Sequence, residues 1–249
     1  MLRGMSVSRG VMIPMVLLLF GASREAAAVD CQKVRAENSG HVVCRVDLRT
    51  ERIELVYSTA GNRFESFAAL RASIERQGRT LDFAMNAGMF HADSRPVGLL
   101  IVEGKSLAPI NRASGYGNFY LQPNGIFLVD QDGARVLATH VYRNVEPRLA
   151  TQSGPMLLDR GLIPDIVAFR PGSTSRFIRN GVCAPTPQVV AFVISDDPVT
   201  FFDFARFFRD KLGCRDALYL DGSISSLYAP QLSRADARAK LGPMFAVTR

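Results

Sequence analysis

The sequence predicts an α+β fold: a single domain with a mixed β-sheet core of many short strands and two main helices. Three observations carry that class. Short β-branched runs recur along the chain, separated by turns rich in Gly, Asn and Asp. Only two segments place their apolar residues at helical spacing. Strands and helices do not alternate regularly, which disfavours a doubly wound parallel sheet.

The elements follow in order. Residues 41–48 (HVVCRVDL) and 52–57 (RIELVY) alternate roughly and are joined by Arg49-Thr50-Glu51, which reads as a hairpin. Residues 64–77 set Phe64, Phe67, Ala68, Leu70 and Ile74 near one face, a helix ended by Gly78. Strands are expected at 81–85, 97–102, 117–121, 126–129 and 135–138, with Pro123-Asn124-Gly125 as a plain hairpin turn. Further strands are expected at 155–158, 177–182, 189–194, 217–220 and 244–247. The clearest helix is 200–212. Thr200 and Asp203 form a capping-box-like start, Gly213 stops it, and Phe201, Phe204, Ala205, Phe208 and Leu212 line one stripe.

The N-terminus has the three parts of a cleavable secretory signal: Arg3 and Arg9, a short apolar run at 11–22, and Ala26-Ala27-Ala28. The run is well short of the roughly 20 residues that span a bilayer as a helix. A lipidated Cys31 is rejected, because Val29 and charged Asp30 stand where a lipobox needs small residues. Cleavage after Ala28 divides the chain into a 1–28 leader and a 29–249 domain, free of stable membrane insertion and placed in the periplasm or secreted. Removing Arg3, Arg9 and Arg24 against Glu25 takes the formal charge from +7 to +5. The positive residues are scattered, which suits solubility or an anionic substrate. No nucleic-acid motif or basic arm is present.

Four cysteines in an exported chain read as two disulfides. Cys31 and Cys44 flank a short loop leading into the first expected strand; Cys183 and Cys214 flank a strand and a helix. The pairing Cys31–Cys44 and Cys183–Cys214 follows from that placement. Zinc is disfavoured, since no cysteine pair has ligand spacing and His41, His91 and His140 lie far from them.

Common catalytic signatures are missing: no Walker A loop, no H-E-x-x-H, no dinucleotide fingerprint. Gly222-Ser223-Ile224-Ser225-Ser226 approaches but does not match a nucleophile elbow. Instead, several strand ends join glycine to polar residues: 86–90, 117–119, 152–155, 176–181 and 220–223. Each alone reads as a turn. Together, MNAGMF (85–90), VGLLIVEGK (97–105), QSGPMLLDRG (152–161), SRFIRNGVC (175–183) and ALYLDGSISSLY (217–228) resemble the phosphodiester glycosidase family, in family order over about 80–228. Ala87 and Ser223-Ile224 stand where the family has glycines.

The resemblance implies hydrolysis of a glycosyl phosphodiester. Asp221 is the first choice for the carboxylate that stabilises or traps the oxocarbenium-like state. Glu103 is a second catalytic candidate, with a solvated turn residue as its alternative reading. Arg176 and Arg179 suit a phosphate clamp. Asn86, Gly88, Ser153, Gly154, Asn180, Gly222 and Ser225 complete the expected substrate-binding set. No cofactor is required; a divalent cation at Asp196-Asp197 is left open, though these residues fit better as a loop before a helix. The expected partner is an anionic glycan or sugar phosphodiester. A non-catalytic glycan-binding module and a phosphodiesterase cutting on the phosphorus side are the other two readings.

Overall fold

The computed structural model describes residues 1, 29–57, 64–143, 145–237 and 239–249. Apart from Met1, the expected leader lies outside the described residues. The fold is mixed α+β and predominantly β.

The first strands are β1 (Asp30–Ala36), β2 (Ser39–Asp47), β3 (Ile53–Val56), β4 (Leu81–Asn86), β5 (Leu100–Val102) and β6 (Lys105–Ala108). Next come β7 (Gly125–Asp130), β8 (Gly133–Ala138), β9 (Leu149–Ser153), β10 (Met156–Leu158) and β11 (Asn180–Thr186). The last are β12 (Val189–Ser195), β13 (Ala217–Asp221), β14 (Leu227–Ala229), β15 (Arg234–Ala235) and β16 (Met244–Thr248). The helices are α1 (Phe67–Arg76) and α2 (Phe201–Arg206).

Three sheets enclose the core, in the orders β1-β2-β12-β11-β13-β10, β15-β14-β4-β16-β3 and β6-β5-β9-β7-β8. Phe83 of β4, Phe127 of β7, Phe192 of β12 and Phe245 of β16 meet where the sheets face one another. Their centroids lie 5.0 Å apart for Phe83–Phe192 and Phe192–Phe245, and 5.4 Å for Phe127–Phe245. All four rings are fully buried, each worth about 1.5–3 kcal/mol of burial. The outer faces carry the helices. Phe67, Leu70 and Ile74 of α1 cover Leu81, Ala84, Met244 and Ala246. Phe204, Ala205 and Phe208 cover Val43, Ala191, Val193 and Tyr219.

Local signals set the helix starts as expected. The Ser66 hydroxyl accepts from the Ala69 N–H, and the Thr200 hydroxyl from the Asp203 N–H at 3.0 Å. The Phe-rich helix is shorter in regular form than its stripe suggests: α2 passes into a π-helical turn over Phe207–Lys211. Both expected disulfides form, Cys31–Cys44 and Cys183–Cys214.

Several expectations are corrected. Segments 41–48 and 52–57 are strands but not a hairpin: β2 pairs with β1 and β12, whereas β3 pairs with β16 in another sheet. Thr50 and Glu51 donate to the Asp47 carbonyl and turn the chain across instead. Alternation fixes which face of a strand is buried and leaves its neighbour unspecified. Cys31 lies in β1 directly opposite Cys44, so a ladder replaces the expected loop. Residues 118–120 form a 3₁₀ turn rather than a strand. Pro123-Asn124-Gly125 is no hairpin turn; buried Asn124 donates to the Phe119 carbonyl at 2.9 Å and leads that turn into β7.

Candidate active site

Antiparallel pairing within the sheets, and side-chain hydrogen bonds between them, bring together the ends of five strands from all three sheets. Asn180 opens β11 opposite Asp221, which ends β13, and a bulge between Asn180 and Gly181 kinks the ladder there. The Asn180 side chain donates to Asn86 Oδ1 at 2.9 Å, across to the end of β4. Its own Oδ1 accepts the Asp221 N–H at 3.0 Å. Asn86 Oδ1 accepts a second hydrogen from the Ser226 N–H at 2.9 Å. Two donors converging on that atom fix it as the amide oxygen. The Ser225 hydroxyl lies 3.1 Å from the Ile178 carbonyl and 3.3 Å from Asn180 Oδ1. Ser153, at the end of β9, donates to the Leu220 carbonyl at 2.8 Å. Asn86, Ser153, Asn180 and Ser225 are all buried. One donor of the network, Asn86 Nδ2, is buried without a partner.

Asp221 is the ionisable member. Its Oδ1 accepts the Ser223 N–H at 2.8 Å, and the Gly222 and Ile224 amides also favour the charged form. Burial outweighs them and pushes the carboxyl above the usual carboxylate range. Beneath the same turn lies Tyr219, fully buried, its phenol pushed up by burial. A β-carbon on Gly222 would stand 2.0 Å from the Tyr219 hydroxyl, so only glycine lets the turn close. Gly88 is bound in the same way, with Thr151 Oγ1 at 2.4 Å from the position of any added β-carbon.

Behind Tyr219 sits Arg179, only 1% exposed. Its Nε donates to the Val199 carbonyl at 2.9 Å, Nη2 to the Ser175 carbonyl at 3.2 Å and Nη1 to the Tyr219 hydroxyl at 3.5 Å. The guanidinium lies 3.7 Å above the Phe201 ring. Burial lowers its basicity. Carbonyls, a phenol and aromatic faces thus take the place of a carboxylate counterion, and every one of these bonds is internal.

The structure therefore gathers Asn86, Ser153, Asn180, Asp221, Gly222 and Ser225, with Gly88 and Gly154 in the adjoining turns and Arg179 behind. It does not bring Arg176 or Glu103 into that network. Arg176 is half exposed and pairs with Asp203 of α2 at 3.5 Å. Glu103 sits on the β5–β6 turn, paired with Arg52 at 2.6 Å and Arg148 at 3.1 Å. The Gly104 N–H bonds the Arg148 carbonyl, whereas Ser153 lies five residues further along, about 17 Å at strand rise. Glu103 thus belongs to the opposite end of the sheet. Ala87 packs into the core and Ser223 is exposed, so of these replacements only Ser223-Ile224 borders the Asp221 turn. Asp197 accepts the Gly40 N–H at 2.7 Å and Asp196 pairs with Arg234 at 2.6 Å, as loop residues do.

Tyr219 and the Ser226 amide were not singled out by the sequence. Tyr219 stands two residues before Asp221 in an apolar strand run, where an aromatic reads as core.

Amides and hydroxyls gathered around one carboxyl that burial pushes up, presented on strand ends, form the candidate site of a predominantly β domain. The family model for phosphodiester glycosidase matches residues 79–247, and the chain belongs to that family. It is 36% identical over 185 residues to the uncharacterized protein YigE of Escherichia coli K12, covering 74% of this chain and 72% of YigE. Among solved structures it resembles the catalytic domain of zebrafish N-acetylglucosamine-1-phosphodiester alpha-N-acetylglucosaminidase, auto-inhibited by its pro-peptide. That likeness has a TM-score of 0.59 at 14% identity, over 88% of this chain and 81% of the other. A protein of Burkholderia pseudomallei K96243 described as exported matches with a TM-score of 0.53 at 11% identity, over 84% and 74%. These two likenesses show the fold.

Proposed function

We propose that this protein is an exported hydrolase of glycosyl phosphodiesters, with Asp221 as its reactive carboxyl. The observation that carries this is the desolvated Asp221 carboxyl held at the junction of strand ends, in a chain of the phosphodiester glycosidase family. As a carboxylate in a low-dielectric turn, Asp221 stabilises positive charge developing at the anomeric carbon. A phosphate leaving group needs little help from a second acid, which fits a site where Glu103 lies at the other end of the sheet. The Asn86 donor without a partner is assigned to a substrate oxygen. Buried Arg179 positions Tyr219 beneath the Asp221 turn. Two disulfides and the leader-like N-terminus support export to the periplasm or beyond. No helix among the described residues is long and apolar enough to cross a membrane.

The test is sugar release from a panel of nitrophenyl- and nucleotide-type glycosyl phosphodiesters. Hydrolysis is expected, with loss in Asp221→Asn, and oxygen from heavy-oxygen water should enter the sugar. Label in phosphate would instead indicate a phosphodiesterase. Binding without turnover that survives Asp221→Asn would make the domain a glycan-binding module.

A further inference from the structure

A cavity of about 380 Å³ lies between the β1–β2 turn and the helical segment starting at α2. Its size falls within the range of small-molecule sites. His41 of β2 lines it, is 3% exposed and stacks on Phe207 with centroids 4.0 Å apart. Neither of its buried ring nitrogens makes a hydrogen bond of good geometry, the Ser39 backbone being the neighbour that favours its protonated form. A buried polar atom left unanswered costs about 1–3 kcal/mol.

The charges on the wall decide what could answer them. Arg176, Arg206 and Lys211 face Glu37, Asp203 and Asp210. Arg206 joins Glu37 at 2.8 Å, tying the β1–β2 turn to the helix, and lies 3.5 Å from Asp210. Burial lowers the basicity of His41 against the opposing influence of the Ser39 backbone, Asp196 and Asp197, so the charged form of the ring is disfavoured. An anion entering this space meets three carboxylates and a cation meets three fixed positive charges. A neutral ligand rich in hydroxyls meets donors and acceptors side by side, and an imidazole able to bond one hydroxyl at each nitrogen.

We propose that this cavity is an accessory saccharide subsite, separate from Asp221, that takes a neutral sugar unit through His41, Arg206 and the facing carboxylates. The two sites share one sheet: His41 is registered opposite Ser195, whose hydroxyl accepts the Arg179 N–H, and Asn180 is registered opposite Asp221. Three strand spacings separate them, about 14 Å. The subsite deepens the glycan reading of the Asp221 site, but its test needs no turnover.

The experiment is histidine-observed NMR on the ¹⁵N-histidine-labelled chain, with His41→Phe assigning the signal. The probes are glucose, N-acetylglucosamine, maltose and chitobiose, with inorganic phosphate as the charged control. A saturable shift of the His41 ring nitrogens by at least one saccharide is expected. Arg206→Gln should weaken it about tenfold while His91 and His140 report an intact fold, and Asp221→Asn should leave it unchanged. The proposal is overturned if no saccharide moves His41, if phosphate alone does, or if Arg206→Gln binds as tightly as the parent. Absence of hydrolysis would sink the proposed activity and leave this result standing.

Discussion

The two ends of the β9 sheet handle charge in opposite ways. At the Glu103 end, the Glu103 carboxylate pairs with Arg52 and Arg148 in view of solvent. At the Ser153 end the polar groups are buried amides and hydroxyls tied to backbone, around one carboxyl that burial pushes up. Exposed pairs of the first kind are worth about 0–1 kcal/mol and tolerate change. The second arrangement costs stability and stores reactivity, which makes a desolvated carboxyl a better guide to chemistry than a concentration of charge.

Substitutions can break that contrast. The largest expected effect is on turnover: Asp221→Asn should lower kcat on an active phosphodiester substrate by on the order of 10²–10³-fold. Asn180→Ala should be the most destabilising, by about 3 kcal/mol in urea, because it strands Asn86, the Asp221 N–H and Ser225 together. Gly222→Ala should also destabilise; if the Tyr219 hydroxyl is the obstacle, adding Tyr219→Phe should recover part of the loss, a coupling of about 1 kcal/mol in a double-mutant cycle. A pH series sharpens the point. The Asp221 carboxyl is raised in the folded state, so its contribution is fully present below the unfolded pKa and lost as pH rises through the folded one. Asp221→Asn should therefore melt above the parent at neutral pH, with the difference shrinking on acidification. The smallest effect is expected at the other end: Glu103→Gln should change stability by less than about 1 kcal/mol and leave hydrolysis unchanged.

Much of this was legible in the sequence, for reasons that also mark its limit. Ser66 and Thr200 announced the helices because a cap is a local bond. The strand runs were visible because burial imposes alternation. Asn86, Ser153, Asn180 and Asp221 stood out as polar residues at strand ends, and the family resemblance placed them together. Sheet membership was not legible: 41–48 and 52–57 look like a hairpin, yet 41–48 pairs with the preceding β1 and with β12, and 52–57 pairs with β16, the last two more than a hundred residues away. Glu103 was misplaced for that reason, since the pairing of β5 with β9 decides which end of the sheet it occupies. Arg179 was read as a phosphate clamp and Tyr219 as core, because a buried cation satisfied by carbonyls and rings leaves no acidic partner to find in the sequence.

The position of β4 between β14 and β16 bears on the order of synthesis. Asn86 emerges early, but the strands on both sides of it come from the final quarter of the chain. A nascent chain therefore cannot close the Asn86–Asn180–Asp221 junction until its last strand is available. Contacts so distant in sequence make for slow folding. Under the export proposed above, this order would keep the chain threadable during transit, with the carboxyl desolvated only after all of it has arrived.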